Sequence, residues 1–173
     1  VTERACLGIG YAFQQPPRYK GFTVRELLKL AASGNPAEVN ICDLLFNVGL
    51  CAQDYLEREI DASLSGGEMK RIEIASVLAR DLKLALFDEP EAGIDLWSFQ
   101  KLAETFEMIH EKTDTTIVII THQERILRLA DEVVLIKNGT VEQNADRQSI
   151  LSGRVVTDGC LCSANCEKGV ERN

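Results

Sequence analysis

Apolar residues follow two different spacings along this chain, and each predicts its own kind of element. Val24, Leu27, Leu28 and Leu30 recur at helical intervals, with Thr23 ahead of them and Glu26 three residues on. That is a capping-box signal and predicts a helix over 23–32, ended by Gly34-Asn35-Pro36. A second helical stretch is predicted over 36–48, stopped by Gly49. Residues 65–79 predict another helix, with Ile72, Ala75, Val77, Leu78 and Ala79 on its apolar face. Residues 82–87 and 115–121 read differently. They are continuous apolar runs of the kind found in strands buried on both faces of a parallel sheet. A helix over 96–111 lies between them. Residues 8–13 read as a short strand, broken by Gln14-Gln15-Pro16-Pro17, since paired prolines cannot continue a ladder. A short helix over 123–129 is followed by 133–137 and 140–143, which read as a hairpin around Asn138-Gly139.

Helix, strand, helix, strand, helix, hairpin is the order of an α/β layer with a mainly parallel sheet. Ligands in such sheets bind beyond the carboxyl ends of the strands. Asp88, Glu89 and His122 each follow the end of a predicted buried strand, so the topology places them together. No internal repeat is present.

Composition alters this picture little. Of 173 residues, 45% are hydrophobic and 27% charged, ordinary values for a globular chain. The net charge of -8 argues against nucleic-acid binding and against a basic membrane-surface anchor. No apolar run is long enough to span a bilayer and no signal peptide is visible, so a cytoplasmic location is expected. Cys6, Cys42 and Cys51 are expected to be packed thiols. The chain begins at Val1 without Met, close to an interior-type strand, as a fragment would.

Three short segments carry candidate chemistry. Ser65-Gly66-Gly67-Glu68 combines a second capping box with two glycines in the first helical turn. Backbone N–H groups there are open to an anion, and the helix start adds roughly half a positive charge. A capped helix without a ligand fits the same four residues. Asp88 and Glu89 end a buried strand, where one acid can hold Mg²⁺ and the other can face a water. A pair of solvated acids is the plainer alternative. His122 at the next strand end could contact a transferred phosphate. His110, late in a helix, reads as a surface residue.

Taken together, Gln14, Leu64-Ser65-Gly66-Gly67-Glu68, Asp88-Glu89-Pro90, Gly93-Ile94-Asp95 and His122 resemble the ATP-binding cassette (ABC) ATPases over about residues 8–143. The resemblance implies a P-loop NTPase-like α/β core, partial here, with a mainly parallel sheet and a helical subdomain over about 20–75. The domain would cover 1–152. It implies ATP and Mg²⁺ as ligands. Gln14 then corresponds to the Q-loop glutamine that touches metal and water, with Gln15 as the alternative. Leu64 to Glu68 correspond to the signature motif, which meets ATP held by a partner cassette. Asp88 is the Walker B aspartate, Glu89 the catalytic glutamate, Asp95 the D-loop aspartate at a dimer seam and His122 the switch histidine. A Walker A loop, Gly-x-x-x-x-Gly-Lys-[Ser/Thr], is missing: none of the twelve glycines precedes a lysine. The family places that loop upstream of Gln14, so this chain alone is expected to be inactive while the full-length protein hydrolyses ATP.

Glu68-Met69-Lys70-Arg71, Glu91 and the run after His122 resemble the Suf-type ATPase of iron–sulfur cluster assembly. That resemblance implies scaffold proteins as partners beside a second cassette. The alternatives are the nucleotide-binding subunit of a membrane transporter, docked on transmembrane subunits, and a non-catalytic cassette acting by pairing. Residues 153–173 read as a loose tail in which Cys160, Cys162 and Cys166 offer three soft ligands for zinc or an iron–sulfur cluster, or simply reactive thiols.

Overall fold

A computed structural model of the protein describes residues 1–34 and 39–141. The described contacts divide the chain into two compact units, one ending at His122 and the other beginning at Gln123.

The first unit is built on three parallel strands, β1 (Ile9–Ala12), β2 (Leu84–Asp88) and β3 (Thr116–Ile120), in the order β1-β2-β3. Ala12 lies beside Phe87 and Asp88 beside Ile120, so the carboxyl ends of all three strands emerge at one edge. A short helix α1 (Thr2–Cys6) precedes β1. Helices α2 (Val24–Ala32), α3 (Ile41–Asn47) and α4 (Ala52–Tyr55) lie between β1 and α5 (Gly66–Leu78). α6 (Leu96–Lys112) links β2 to β3, since neighbouring parallel strands require a long crossover connection.

α2 starts where the sequence predicts: Thr23 accepts from the Glu26 N–H, and the Glu26 carboxylate accepts from the Thr23 N–H. Its buried residues are Val24 and Leu28, whereas Leu30, expected on the apolar face, is exposed. The second predicted helix begins later, at Ile41, capped by the Asn40 side chain; residues 35–38 lie outside the description. α5 is the centre of the unit. It touches α2, α3 and β1, and so is buried nearly all round rather than on one face.

The two long strands depart from expectation. β2 buries Ala85 and Phe87, with Phe87 edge-on to Phe106 of α6 at 4.9 Å between ring centroids. Its alternate residues Leu84 and Leu86 are only half-buried, and in β3 Val118 and Ile120 are exposed. The predicted burial on both faces is therefore corrected to burial on one, because the helices of this unit pack on a single face of the sheet.

The cysteines are corrected likewise. Cys6, Cys42 and Cys51 are free and exposed, not packed. α1 and α4, to which Cys6 and Cys51 belong or lead, bury none of their residues, and α3 turns Leu44 and Leu45 inward instead of Cys42.

The second unit contains α7 (Glu124–Leu127) and a hairpin of β4 (Ile136–Lys137) and β5 (Thr140–Val141). Asn138 and Gly139 turn it with φ of 52° and 78°, the positive pair a type I′ turn needs. Gln143 and the tail thiols Cys160, Cys162 and Cys166 lie outside the described residues. Among the described residues no helix is long and apolar enough to cross a membrane.

Candidate functional site

The aligned strand ends deliver three predicted residues to one place. Glu89 follows β2 directly with a φ of 44°, and its N–H donates to the Ile120 carbonyl at 2.9 Å. This backbone turn carries the carboxylate away from the sheet. Gln14, two residues past β1, donates its amide to Glu89 Oε2 at 2.7 Å. His122, two residues past β3, places Nδ1 3.7 Å from Glu89 Oε1, with its side chain 75% exposed. Asp88 keeps to the strand alternation and faces the uncovered side of the sheet, where it accepts from the Tyr11 hydroxyl at 3.0 Å. That carboxylate pushes the Tyr11 phenol above its ordinary pKa. Glu91 accepts from the Thr121 hydroxyl at 2.5 Å.

The start of α5 forms the second part. Ser65 and Glu68 close a full capping box. Glu68 also accepts from the Tyr55 hydroxyl at 2.5 Å and pairs with Arg58 at 3.4 Å. The Tyr55 hydrogen bond, followed by the Ser65 N–H, holds its pKa at about 2. Its charge is thus engaged within the fold. Leu64 is 2% exposed and belongs to the core. Of the predicted signature residues, only Ser65 and Gly66 are exposed at the helix start. The two glycines have separate reasons. A Cβ on Gly67 would lie 2.3 Å from the Gly93 carbonyl oxygen, so close packing demands glycine there. A Cβ on Gly66 would meet nothing within 4 Å, so the fold itself leaves that glycine unexplained.

Asp95 caps α6, accepting from the Trp97 and Ser98 N–H groups at 3.1 and 3.0 Å. The Ser98 N–H, followed by the Ser98 hydroxyl, lowers its pKa. Arg71 of α5 lies 3.6 Å from Asp95 and also donates to Ser98 Oγ and to the Gly49 carbonyl, tying the two helix starts together. A cavity of about 350 Å³ opens between the Gln14 segment, the first turn of α5 and the turn at Ala92-Gly93; Arg18 and Lys70 also line it. The structure thus brings Gln14, Gly66 and Gly93 to one cleft, and Gln14, Glu89 and His122 to one cluster.

Tyr11 and Glu73 were not singled out in the sequence, and Lys70 and Arg71 entered only as markers of the Suf-type resemblance. Lys70 and Glu73 carried a usable signal: opposite charges three apart among Met69, Ile72 and Ile74, on a helix with little room for solvent.

Comparison with known proteins fits this layout. A family described as "ABC transporter" matches residues 2–92, over half of the chain. The chain belongs to the ABC transporter ATPase family. It is 37% identical over 156 residues to an uncharacterised ABC transporter ATP-binding protein of Methanocaldococcus jannaschii, covering 87% of this chain and 62% of that one. It is 30% identical to the energy-coupling factor transporter ATP-binding protein EcfA2 of Listeria welshimeri, covering 86% of this chain and 53% of the relative. The fold matches a solved dimeric ATP-binding cassette in a post-hydrolysis state, bound to ADP and Pi, with a TM-score of 0.72 and 21% identity, over 84% of this chain and 66% of that one. The chain is therefore an ABC ATPase cassette fold that spans less than two thirds of the relatives quoted.

Proposed function

We propose that this chain is part of the ATP-hydrolysing, nucleotide-binding subunit of an ABC membrane transporter, working on the cytoplasmic side as a pair of cassettes. The observation that carries the proposal is the Gln14–Glu89–His122 cluster at the strand ends. Gln14 holds one oxygen of the Glu89 carboxylate, leaving the other to accept a proton from, and so orient, a water attacking the γ-phosphate. His122 is close enough to Glu89 to meet the same phosphate. Asp88 and the free amide oxygen of Gln14 are hard oxygen donors that fit Mg²⁺, an ion that takes one or two protein ligands alongside phosphate oxygens. Bound there, Mg²⁺ would neutralise charge on the β- and γ-phosphates. Ser65 and Gly66 present open backbone N–H groups at a helix start, suited to the phosphate of an ATP held by the partner cassette. Asp95, beside them through Arg71, would lie at the seam between the two. The phosphate-cradling lysine loop would come from a part of the protein outside these 173 residues.

The transporter role is drawn from the printed names of the relatives, the Listeria EcfA2 protein among them. The Suf-type alternative stands on Glu68-Met69-Lys70-Arg71, Glu91 and the run after His122. Of these, Glu68, Lys70, Arg71 and Glu91 each have a partner inside the fold.

E89Q in the full-length protein is expected to abolish ATP turnover while ATP-bound dimers accumulate on size-exclusion chromatography. Unchanged turnover would overturn the role given to Glu89. Integral membrane proteins are expected to co-purify; soluble scaffold proteins in their place would favour the Suf-type reading. A full-length protein with neither turnover nor ATP binding would favour pairing without catalysis.

A further inference from the structure

Lys70 is among the largest fully buried side chains in the described structure, with 1% of its surface exposed. Lysines are almost never buried to this degree unless paired. Its ammonium has three N–H donors and no acceptor. One donates to the Phe13 carbonyl and one to the Asp88 carbonyl at 2.8 Å. Glu73, one helical turn on and 8% exposed, lies 3.9 Å away. Glu73 also accepts from the Phe13 N–H at 2.9 Å, so Phe13 is held through both its N–H and its carbonyl.

The placement of the two carbonyls is the point. The ladder between β1 and β2 ends at Ala12 and Phe87. Phe13 directly follows β1 and Asp88 ends β2, and each immediately precedes a member of the site, Gln14 or Glu89. Lys70 therefore bridges the two strands where their own hydrogen bonding stops. We propose that Lys70, held by Glu73, is a positioning residue that pins the peptides ahead of Gln14 and Glu89 and thereby sets the hydrogen bond between those two side chains. The proposal deepens the hydrolytic reading of Gln14 and Glu89 and rests on it for its bearing on turnover.

A role in stability alone would not call for this pair. Well-packed apolar residues of similar volume usually replace a buried ion pair without loss of stability. Apolar replacements could fill the space, but they could not grip two carbonyls from one point.

The test uses the ¹⁵N-labelled 173-residue chain without nucleotide, reading the Gln14 side-chain amide by NMR. Q14A assigns the resonance by its loss, and E89A gives its position without the carboxylate acceptor. K70M is expected to move the resonance to the E89A position, and K70R to restore most of the wild-type position. I72A, a core change in the same helix, is expected to leave it in place. Should K70M fail to fold, K70M/E73L removes both charges together and must give the same movement. An unmoved Gln14 amide in a folded K70M or K70M/E73L chain would overturn the proposal, and so would an equal movement in I72A. Because no nucleotide is present, that failure would leave the ATPase reading intact. Unchanged turnover in E89Q would conversely leave the Lys70 geometry intact and remove only its bearing on the reaction.

Discussion

On one face of the sheet Ala85 and Phe87 are 2% and 1% exposed; on the other, Val118 and Ile120 of the adjoining strand are 42% and 55% exposed. The strands have the same apolar character. Only the helices laid over one face separate them. Burial is thus a property of the layer above a strand and not of the strand's own composition. The uncovered face also carries Tyr11 and the half-buried Leu86, an apolar area with Asp88 at its end. Helix-covered residues should therefore govern the stability of this chain, and residues of the open face should not.

The largest effect is expected at Phe87. Phe87→Ala removes a ring packed on Phe106 and should cost about 3–5 kcal/mol in urea unfolding. A loss below about 1 kcal/mol would erase the distinction between the faces.

Glu68 comes next, on the covered side. Its folded pKa of about 2 lies below the unfolded value of 4.5, so its contribution is complete above pH 4.5 and is lost as pH falls through 2. The shift corresponds to about 3 kcal/mol at neutral pH. E68Q should lose most of that at pH 7 and match the wild type near pH 2; a pH-independent gap would show that the charge is not what stabilises the helix start.

The paired glycines sharpen the contrast on a smaller scale. Gly67→Ala must displace the Gly93 carbonyl and is expected to cost about 1–3 kcal/mol. Gly66→Ala meets nothing and should leave stability unchanged or raise it by about 0.5 kcal/mol, while weakening ATP-dependent pairing of the full-length protein. Equal losses at both positions would contradict the separation of packing from function.

Smallest of all is Val118→Thr on the open face, expected to change stability by no more than about 0.5 kcal/mol. A loss comparable to that of Phe87→Ala would mean the face is covered in solution.

The elements that announced themselves were those with local chemistry. Thr23 with Glu26 and Ser65 with Glu68 marked helix starts because capping is settled within four residues. Asn138-Gly139 marked its turn because few residues accept two positive φ values. Glu89 and His122 could be grouped, with Asp88, because parallel strands align their carboxyl ends, whereas Gln14 joined them only through the family resemblance. What stayed hidden depended on distant packing. Nothing near Val118 reveals that its face is bare, and nothing near Cys42 reveals that α3 turns Leu44 and Leu45 inward instead. Leu64 and Glu68 belonged to the motif, but only the folded chain shows the first in the core and the second bound to Tyr55. Lys70 stood out only as part of Glu68-Met69-Lys70-Arg71, and its burial appears once Phe13, Asp88 and Glu73 close around it.

Glu89 adopts a left-handed backbone that costs a non-glycine residue on the order of 1 kcal/mol. Glycine would relax that turn while deleting the carboxylate. Under the hydrolytic role proposed for Glu89, E89G would therefore trade activity for a sturdier fold: the glutamate at this turn is not what folding alone would choose.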